Sequence, residues 1–299
     1  MIELINLTKK FDEYKAVDEV NAKIMDGCIY GLVGSNGSGK STLLRLLSGV
    51  YYPDSGNISV DGYAVFNNPA LKSQIFYLPD APYFFKNASI KEMADFFEGM
   101  YPTFDRARFN HLKEVFPIST TDKIDNMSKG MQRQAALMLA LSTNPKYLLL
   151  DEAFDGLDPV MRSVLKELLL DGIETNQMTV IIASHNLREL EDLCDHIALI
   201  HKGKILFSDS LEDVRSNFHK IQAAFKVLPP EVKLHTLDIL KCEKMGSLLQ
   251  MVIRGNEDEI MEKINSLDPI FAESIEPSLE EIFIYEMEAV GYDIKNLLG

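Results

Sequence analysis

Nine consecutive residues, Gly34-Ser35-Asn36-Gly37-Ser38-Gly39-Lys40-Ser41-Thr42, constrain this chain more than any other stretch. The spacing is G-x-x-x-x-G-K-[ST], whose glycines let the backbone wrap tightly between a strand and a helix. Both flanking elements are legible: Ile29-Tyr30-Gly31-Leu32-Val33 reads as a buried strand and Leu43-Leu44-Arg45-Leu46-Leu47 as a helix. In that setting successive N–H groups and the positive end of the helix point at one spot, which suits the phosphates of a nucleotide. Lys40 is expected to reach the β- and γ-phosphates, Ser41 to offer its hydroxyl to Mg²⁺ and Thr42 to donate to an inner phosphate.

The rest of the composition narrows the setting. A chain of 299 residues allows one large domain or two smaller ones. With 30 basic against 45 acidic residues the formal net charge is -15, which opposes non-specific binding to nucleic acid or to an anionic bilayer. Cys28, Cys194 and Cys242 are isolated and lack C-x-x-C spacing, so a reducing cytoplasm is expected, without disulfides or a zinc site. The amino terminus lacks the pattern of a signal peptide, and no apolar run approaches the roughly 18 residues a membrane-spanning helix needs. Any membrane-spanning part is expected from another chain.

The pattern along the chain predicts an α/β fold with a mostly parallel sheet. Residues 1–78 alternate short apolar strands with turns such as Pro53-Asp54-Ser55-Gly56, forming a strand-rich N-terminal lobe. Ser89 to Phe116 reads as helical, starting on the capping box Ser89-Ile90-Lys91-Glu92. Its many Phe and Met residues are expected mainly in the core. Tyr147-Leu148-Leu149-Leu150, Thr179-Val180-Ile181-Ile182-Ala183 and Ile197-Ala198-Leu199-Ile200 are the unbroken apolar runs of parallel strands. We expect a nucleotide-binding domain at 1–208, with a helical subdomain at about 80–140, and a small α+β extension at 209–299.

A second constellation narrows the chemistry. Asp151 and Glu152 end the buried strand at Tyr147, where an open α/β sheet presents ligands. Asp151 suits the Mg²⁺ shell, directly or through water, and Glu152 suits a general base acting on the attacking water.

Between these motifs stands Asn126-Met127-Ser128-Lys129-Gly130-Met131-Gln132-Arg133-Gln134, followed by an apolar helix. Together the motifs and their order resemble the ATP-binding cassette (ABC) family over about residues 1–208. The resemblance sets Ser128-Lys129-Gly130-Met131 at the family's signature, Asp155-Gly156-Leu157-Asp158 at its D-loop, and His185 at its switch histidine. It places Phe11 against adenine. It implies a P-loop ATPase that uses ATP and Mg²⁺ and works as a head-to-tail dimer. ATP then binds through residues 34–42 of one subunit and is capped by Ser128 and Gly130 of the other. Two departures stand out: Lys129 and Met131 replace Gly and Gln, and Asp80 follows Phe76-Tyr77-Leu78-Pro79 where the family has a Mg²⁺-sensing glutamine; at the nucleotide site its carboxylate is expected to bind Mg²⁺ through water while bringing negative charge toward the γ-phosphate.

The variant resembles single-cassette subunits of bacterial drug and peptide-antibiotic exporters, as does the ending Glu276-Pro277-Ser278-Leu279-Glu280-Glu281-Ile282-Phe283. The implied partners are transmembrane permease chains and a second cassette, identical or different, with no nucleic acid. The implied location is cytoplasmic, on the inner face of the membrane. Residues 80–100 are expected to dock the permease, with Phe84, Phe85 and Phe97 as candidate contacts. The rival readings are a soluble ABC ATPase outside transport and an ATP-dependent regulatory switch.

Overall fold

The computed structural model describes residues 1–227, 229 and 236–289. Contacts divide the chain into two units, Met1–Ser208 and Asp209–Gly299. In the first unit an antiparallel sheet holds β1 (Ile2–Phe11), β2 (Tyr14–Ile24), β4 (Ser55–Val60) and β5 (Tyr63–Ala64), in the order β2-β1-β4-β5. Phe11 pairs with Tyr14 across the first hairpin, where Asp12 takes φ 52°.

The second sheet carries the site. Its order is β10 (Lys204–Ser210), β9 (His196–His201), β3 (Ile29–Val33), β8 (Thr179–Ser184), β7 (Tyr147–Asp151), β6 (Ile75–Leu78). Neighbours from β9 to β6 run parallel. β3, β7 and β8 are buried at every residue, because helices cover both faces of such a sheet, and this is why they read as unbroken apolar runs. Lys202 and Gly203, both at positive φ, make the two-residue turn from β9 to β10.

The helices of this unit are α1 (Lys40–Leu47), α2 (Pro69–Lys72), α3 (Ile90–Met100), α4 (Arg106–Val115), α5 (Lys129–Ser142), α6 (Pro159–Asn176) and α7 (Leu187–Glu191). The capping box forms as the sequence predicts, with Ser89 and Glu92 bonding reciprocally. Asp158 likewise caps α6, accepting from Val160 N and Met161 N ahead of Pro159. The helical stretch from Ser89 to Phe116 comprises two helices, α3 and α4. Tyr101 precedes Pro102 and is extended (φ -107°, ψ 109°), since a proline disfavours the helical conformation in the residue before it. Asp105 then caps a new start.

The second unit contains α8 (Leu211–Asn217), β11 (Phe218–Ala224), β12 (Asp238–Met245), β13 (Leu248–Arg254), α9 (Glu257–Asn265), β14 (Phe271–Ile275) and α10 (Leu279–Ala289). Its antiparallel sheet runs β12-β13-β11-β14. Ile221, Ala223, Leu249, Met251 and Ile253 share a core with Ile260 and Ile264 of α9, the alternation expected when one sheet face meets a helix. Among the described residues no helix is long and apolar enough to cross a membrane.

Candidate active site

Register gathers the site. Val33 lies beside Ser184, Ala183 beside Asp151, and Leu150 beside Leu78, so parallel strands deliver the loops after β3, β8, β7 and β6 to one edge of the sheet. Ligands bind at such carboxyl edges in open α/β sheets.

The loop after β3 presses against its neighbours. A Cβ on Gly34 would stand 2.4 Å from the Ile200 carbonyl oxygen, and one on Gly39 (φ 114°) 2.3 Å from that of Ala16, so neither position admits a side chain. Gly39 also gives α1 no side-chain cap, which leaves the first helical N–H groups for a ligand. Ser38 Oγ is buried without a hydrogen-bond partner, an orphan that a phosphate oxygen would satisfy. A cavity of about 330 Å³ is lined by Asn36, Gly37, Ser38, Gly39, Lys40, Ser41 and Thr42, together with Phe11, Tyr14, Ala16, Asp80 and Glu152. A larger cleft of about 480 Å³ lies within the second unit, where Arg215 pairs with Glu276, and it has no glycine loop.

Lys40 is buried and fully engaged. Its Nζ donates to the Gly34 and Ser35 carbonyls at 2.7 and 3.3 Å and lies 3.4 Å from Glu152 Oε1. Gly34 and Ser35 thus meet the site through their carbonyls. Ser41 Oγ donates to Asp151 Oδ1 at 3.0 Å, and the Tyr77 hydroxyl to Oδ2 at 3.2 Å. Burial pushes the Asp151 carboxyl above its ordinary range; the Ser41 and Tyr77 hydrogen bonds oppose the rise, and the charges of Glu152 and Asp80 add to it. Burial and the Asp151 charge push Tyr77 up to about 12. Ser41 Oγ and the Asp151 carboxylate are hard oxygen donors, the set that suits Mg²⁺.

Glu152 adopts a left-handed φ of 50°, a strained conformation for a non-glycine residue, while its N–H donates to the Ala183 carbonyl at 2.9 Å. The strain turns its carboxylate toward both Lys40 and the loop after β8. Oε2 lies 2.9 Å from His185 Nδ1 and accepts from the His185 N–H at 3.3 Å. Asp155 joins them: one ligating atom each from Glu152, Asp155 and His185 lie within 4.8 Å of one another.

Phe11 sits at the rim, 42% exposed and edge-on to Tyr51 at 5.4 Å. Ser128 and Gly130 do not line this cavity. Ser128 is exposed and caps α5, its Oγ accepting from Met131 N at 3.3 Å. A Cβ on Gly130 would stand 2.9 Å from the Gly156 carbonyl oxygen. Asp80 lines the cavity and is paired at 2.9 Å with Arg133 of α5. Sequence reasoning missed Tyr14, whose hydroxyl donates to the Gly37 carbonyl at 3.1 Å, and Tyr77 and Arg133. Tyr14, three residues after Phe11 across a turn, had a usable signal; the other two had none in sequence.

This is the constellation of a phosphate-loop nucleoside triphosphatase, with the loop, Asp151 and Glu152 on one sheet edge. A family profile described as "ABC transporter" matches residues 17–155. The "ABC transporter ATP-binding protein YtrB" of Bacillus subtilis (strain 168) is 31% identical over 284 residues, covering 95% of this chain and 97% of that one. The "Bacitracin transport ATP-binding protein BcrA" of Bacillus licheniformis is 31% identical over 209 residues, covering 69% and 68%. A solved dimeric ATP-binding cassette in a post-hydrolysis state, bound to ADP and Pi, shares the fold at TM-score 0.63 and 22% identity, over 71% of this chain and 99% of that one. The chain belongs to the ABC transporter ATP-binding proteins, and it is an ATP-binding ATPase of that family. ATP-binding subunits of this kind form cassette dimers and work with membrane permease subunits.

Proposed function

We propose that this chain is the ATPase subunit of an exporter, and that two cassettes closing over Mg·ATP move separate membrane permeases from the inner face of the membrane. The observation that carries the hydrolytic part is Glu152, held by His185 Nδ1 on one carboxylate oxygen and facing Lys40 on the other. Lys40 exchanges its carbonyl partners for the nucleotide's phosphates, which frees Glu152 to take a proton from the attacking water. His185 fixes the orientation of the Glu152 carboxylate. Mg²⁺, held through Ser41 and Asp151, supplies neutralisation of phosphate charge. Phe11 and Tyr14 receive the adenine face, and Ser128 and Gly130 cap the nucleotide of the opposite subunit.

An aromatic surface supports permease docking. Phe76 of β6 meets Phe97 of α3, which meets Phe96, then Phe85, then Tyr83, with ring centroids 4.7 to 6.4 Å apart. Tyr83 is 79% exposed, and Phe85, Phe96 and Met100 are exposed too, whereas Phe84 and Phe97 are half-buried. The contact surface is therefore Tyr83, Phe85, Phe96 and Met100 rather than the sequence-based trio alone. Outward movement rests on the resemblance of the signature variant to exporter subunits.

Light scattering of Glu152→Gln with and without Mg·ATP tests the reading, because the amide keeps the shape and removes the base. The expected result is a shift from monomer to dimer. A monomer that still binds ATP would overturn closure by two identical cassettes. Wild-type turnover equal to that of Lys40→Ala would overturn the hydrolytic role.

A further inference from the structure

Asp80 poses a problem of charge. It lines the cavity shared by Lys40, Ser41 and Glu152, so it adds a carboxylate where a triphosphate brings several negative charges. Its side chain is 64% exposed, and on α5 it faces Arg133, whose side chain is only 8% exposed. Arg133 Nη2 donates to Asp80 Oδ1 at 2.9 Å and Nη1 to the Pro79 carbonyl at 3.2 Å. A guanidinium stays charged at any physiological pH, and its planar fork fixes two acceptors on one loop. The other charged residue on α5, Lys129, is exposed at the helix start.

We propose that Arg133 is a positioning residue for ATP binding: it offsets the Asp80 charge at the nucleotide cavity and ties the loop after β6 to α5, the helix that presents Ser128 and Gly130. The proposal rests on the reading that ATP occupies this cavity. The pair is neutral as a unit, so an acidic residue is tolerated beside the phosphates. It also joins the loop that faces bound nucleotide to the helix that caps nucleotide in the opposite subunit, through one buried side chain.

Charge offset and mere support predict different signs. Removing Arg133 leaves Asp80 unopposed and repels the nucleotide; removing the Asp80 charge leaves Arg133 unopposed and attracts it. Mere support of the loop predicts that both changes weaken binding. We would titrate the full chain with fluorescent ATP in excess Mg²⁺ at low and high salt. Arg133→Gln is expected to weaken binding roughly three- to tenfold at low salt and Asp80→Asn to tighten it by a similar factor, both shifts shrinking as salt screens the charge. The double variant is expected within about twofold of wild type, and Arg133→Lys likewise, since lysine keeps the charge.

Equal weakening by both single variants, independent of salt, would overturn the proposal. So would unchanged binding in both while Lys40→Ala abolishes it, an outcome that leaves the nucleotide site standing and removes Asp80 from it. Wild-type binding by Lys40→Ala would bring down the site reading and the proposal together. Should Arg133→Gln not fold, Asp80→Asn decides alone: tightening supports the charge offset, and unchanged or weaker binding overturns it.

Discussion

The phosphate loop and the Ser128 segment are both starts of helices, and they are finished in opposite ways. At α1 the cap position is Gly39, which offers no side-chain acceptor; Gly37 and Gly39 sit at positive φ, and Lys40 is buried among its own chain's oxygens. At α5 the cap is Ser128, in ordinary extended geometry (φ -62°, ψ 160°) and bonded to Met131 N, with Ser128, Lys129 and Met131 exposed. The first helix start holds open N–H groups inside a walled cavity, so one chain completes it. The second is already capped and faces outward, so its hydroxyl proton is what it has left to offer. One half of a nucleotide site is therefore built within this chain, and in the proposed dimer the Ser128 segment serves the site of a neighbour.

The sharpest way to break that contrast is Lys40→Ala. If the α1 half is self-sufficient, loss of the buried Lys40 cation should weaken ATP binding by about two orders of magnitude, as expected for about 3 kcal/mol of charge-assisted hydrogen bonding. Equilibrium titration of the monomer checks this. Binding that survives at near wild-type strength would mean the α1 half is not the principal anchor.

The contrast also explains what was legible in the sequence. Elements whose cause is local were readable: β3, β7 and β8 as apolar runs, the Ser89 cap, and the nine loop residues at α1. The break at Tyr101 is local as well, since Pro102 disfavours helix in the residue before it. What depends on distant partners was not readable. Arg133 stands 53 residues from Asp80, and Tyr77 reaches Asp151 across 74, so no spacing rule pairs them. Phe84 and Phe97 were legible as aromatics, yet which ring of a cluster faces solvent is fixed by packing against Phe76 and Tyr101. In the second unit an α+β pattern was legible, whereas the pairing of β11 with β13 and β14, and of β12 with β13, is set only by tertiary register.

Gly130→Ala sharpens the comparison at intermediate size. Its Cβ would lie 2.9 Å from the Gly156 carbonyl oxygen, a backbone atom that cannot swing aside as a side chain can. Relief must come from a shift of the α5 start or of the 155–158 loop, costing about 1–3 kcal/mol of the kind seen on overpacking. A lower midpoint in urea with unchanged monomeric ATP affinity is the expected pattern. An equal loss of ATP affinity would show that the α5 start also serves the cavity of its own chain.

The smallest effect is the most diagnostic. Ser128 has two separable assets: an oxygen that accepts from Met131 N and an O–H that remains free to donate. Ser128→Ala removes both, so the monomer should lose about 1 kcal/mol of stability from the missing cap, measurable by urea denaturation. Asparagine is as good a cap as serine, so Ser128→Asn should hold stability within a few tenths of a kcal/mol of wild type while replacing the hydroxyl with a bulkier amide. Threonine keeps the hydroxyl and most of the capping strength. In a Glu152→Gln background, the threonine variant should then dimerise with Mg·ATP and the asparagine variant should not, although their monomers are equally stable. If the asparagine variant closes as well as threonine, Ser128 is a helix cap and nothing more, and the outward-facing half of the site must be sought in the Gly130 amide instead.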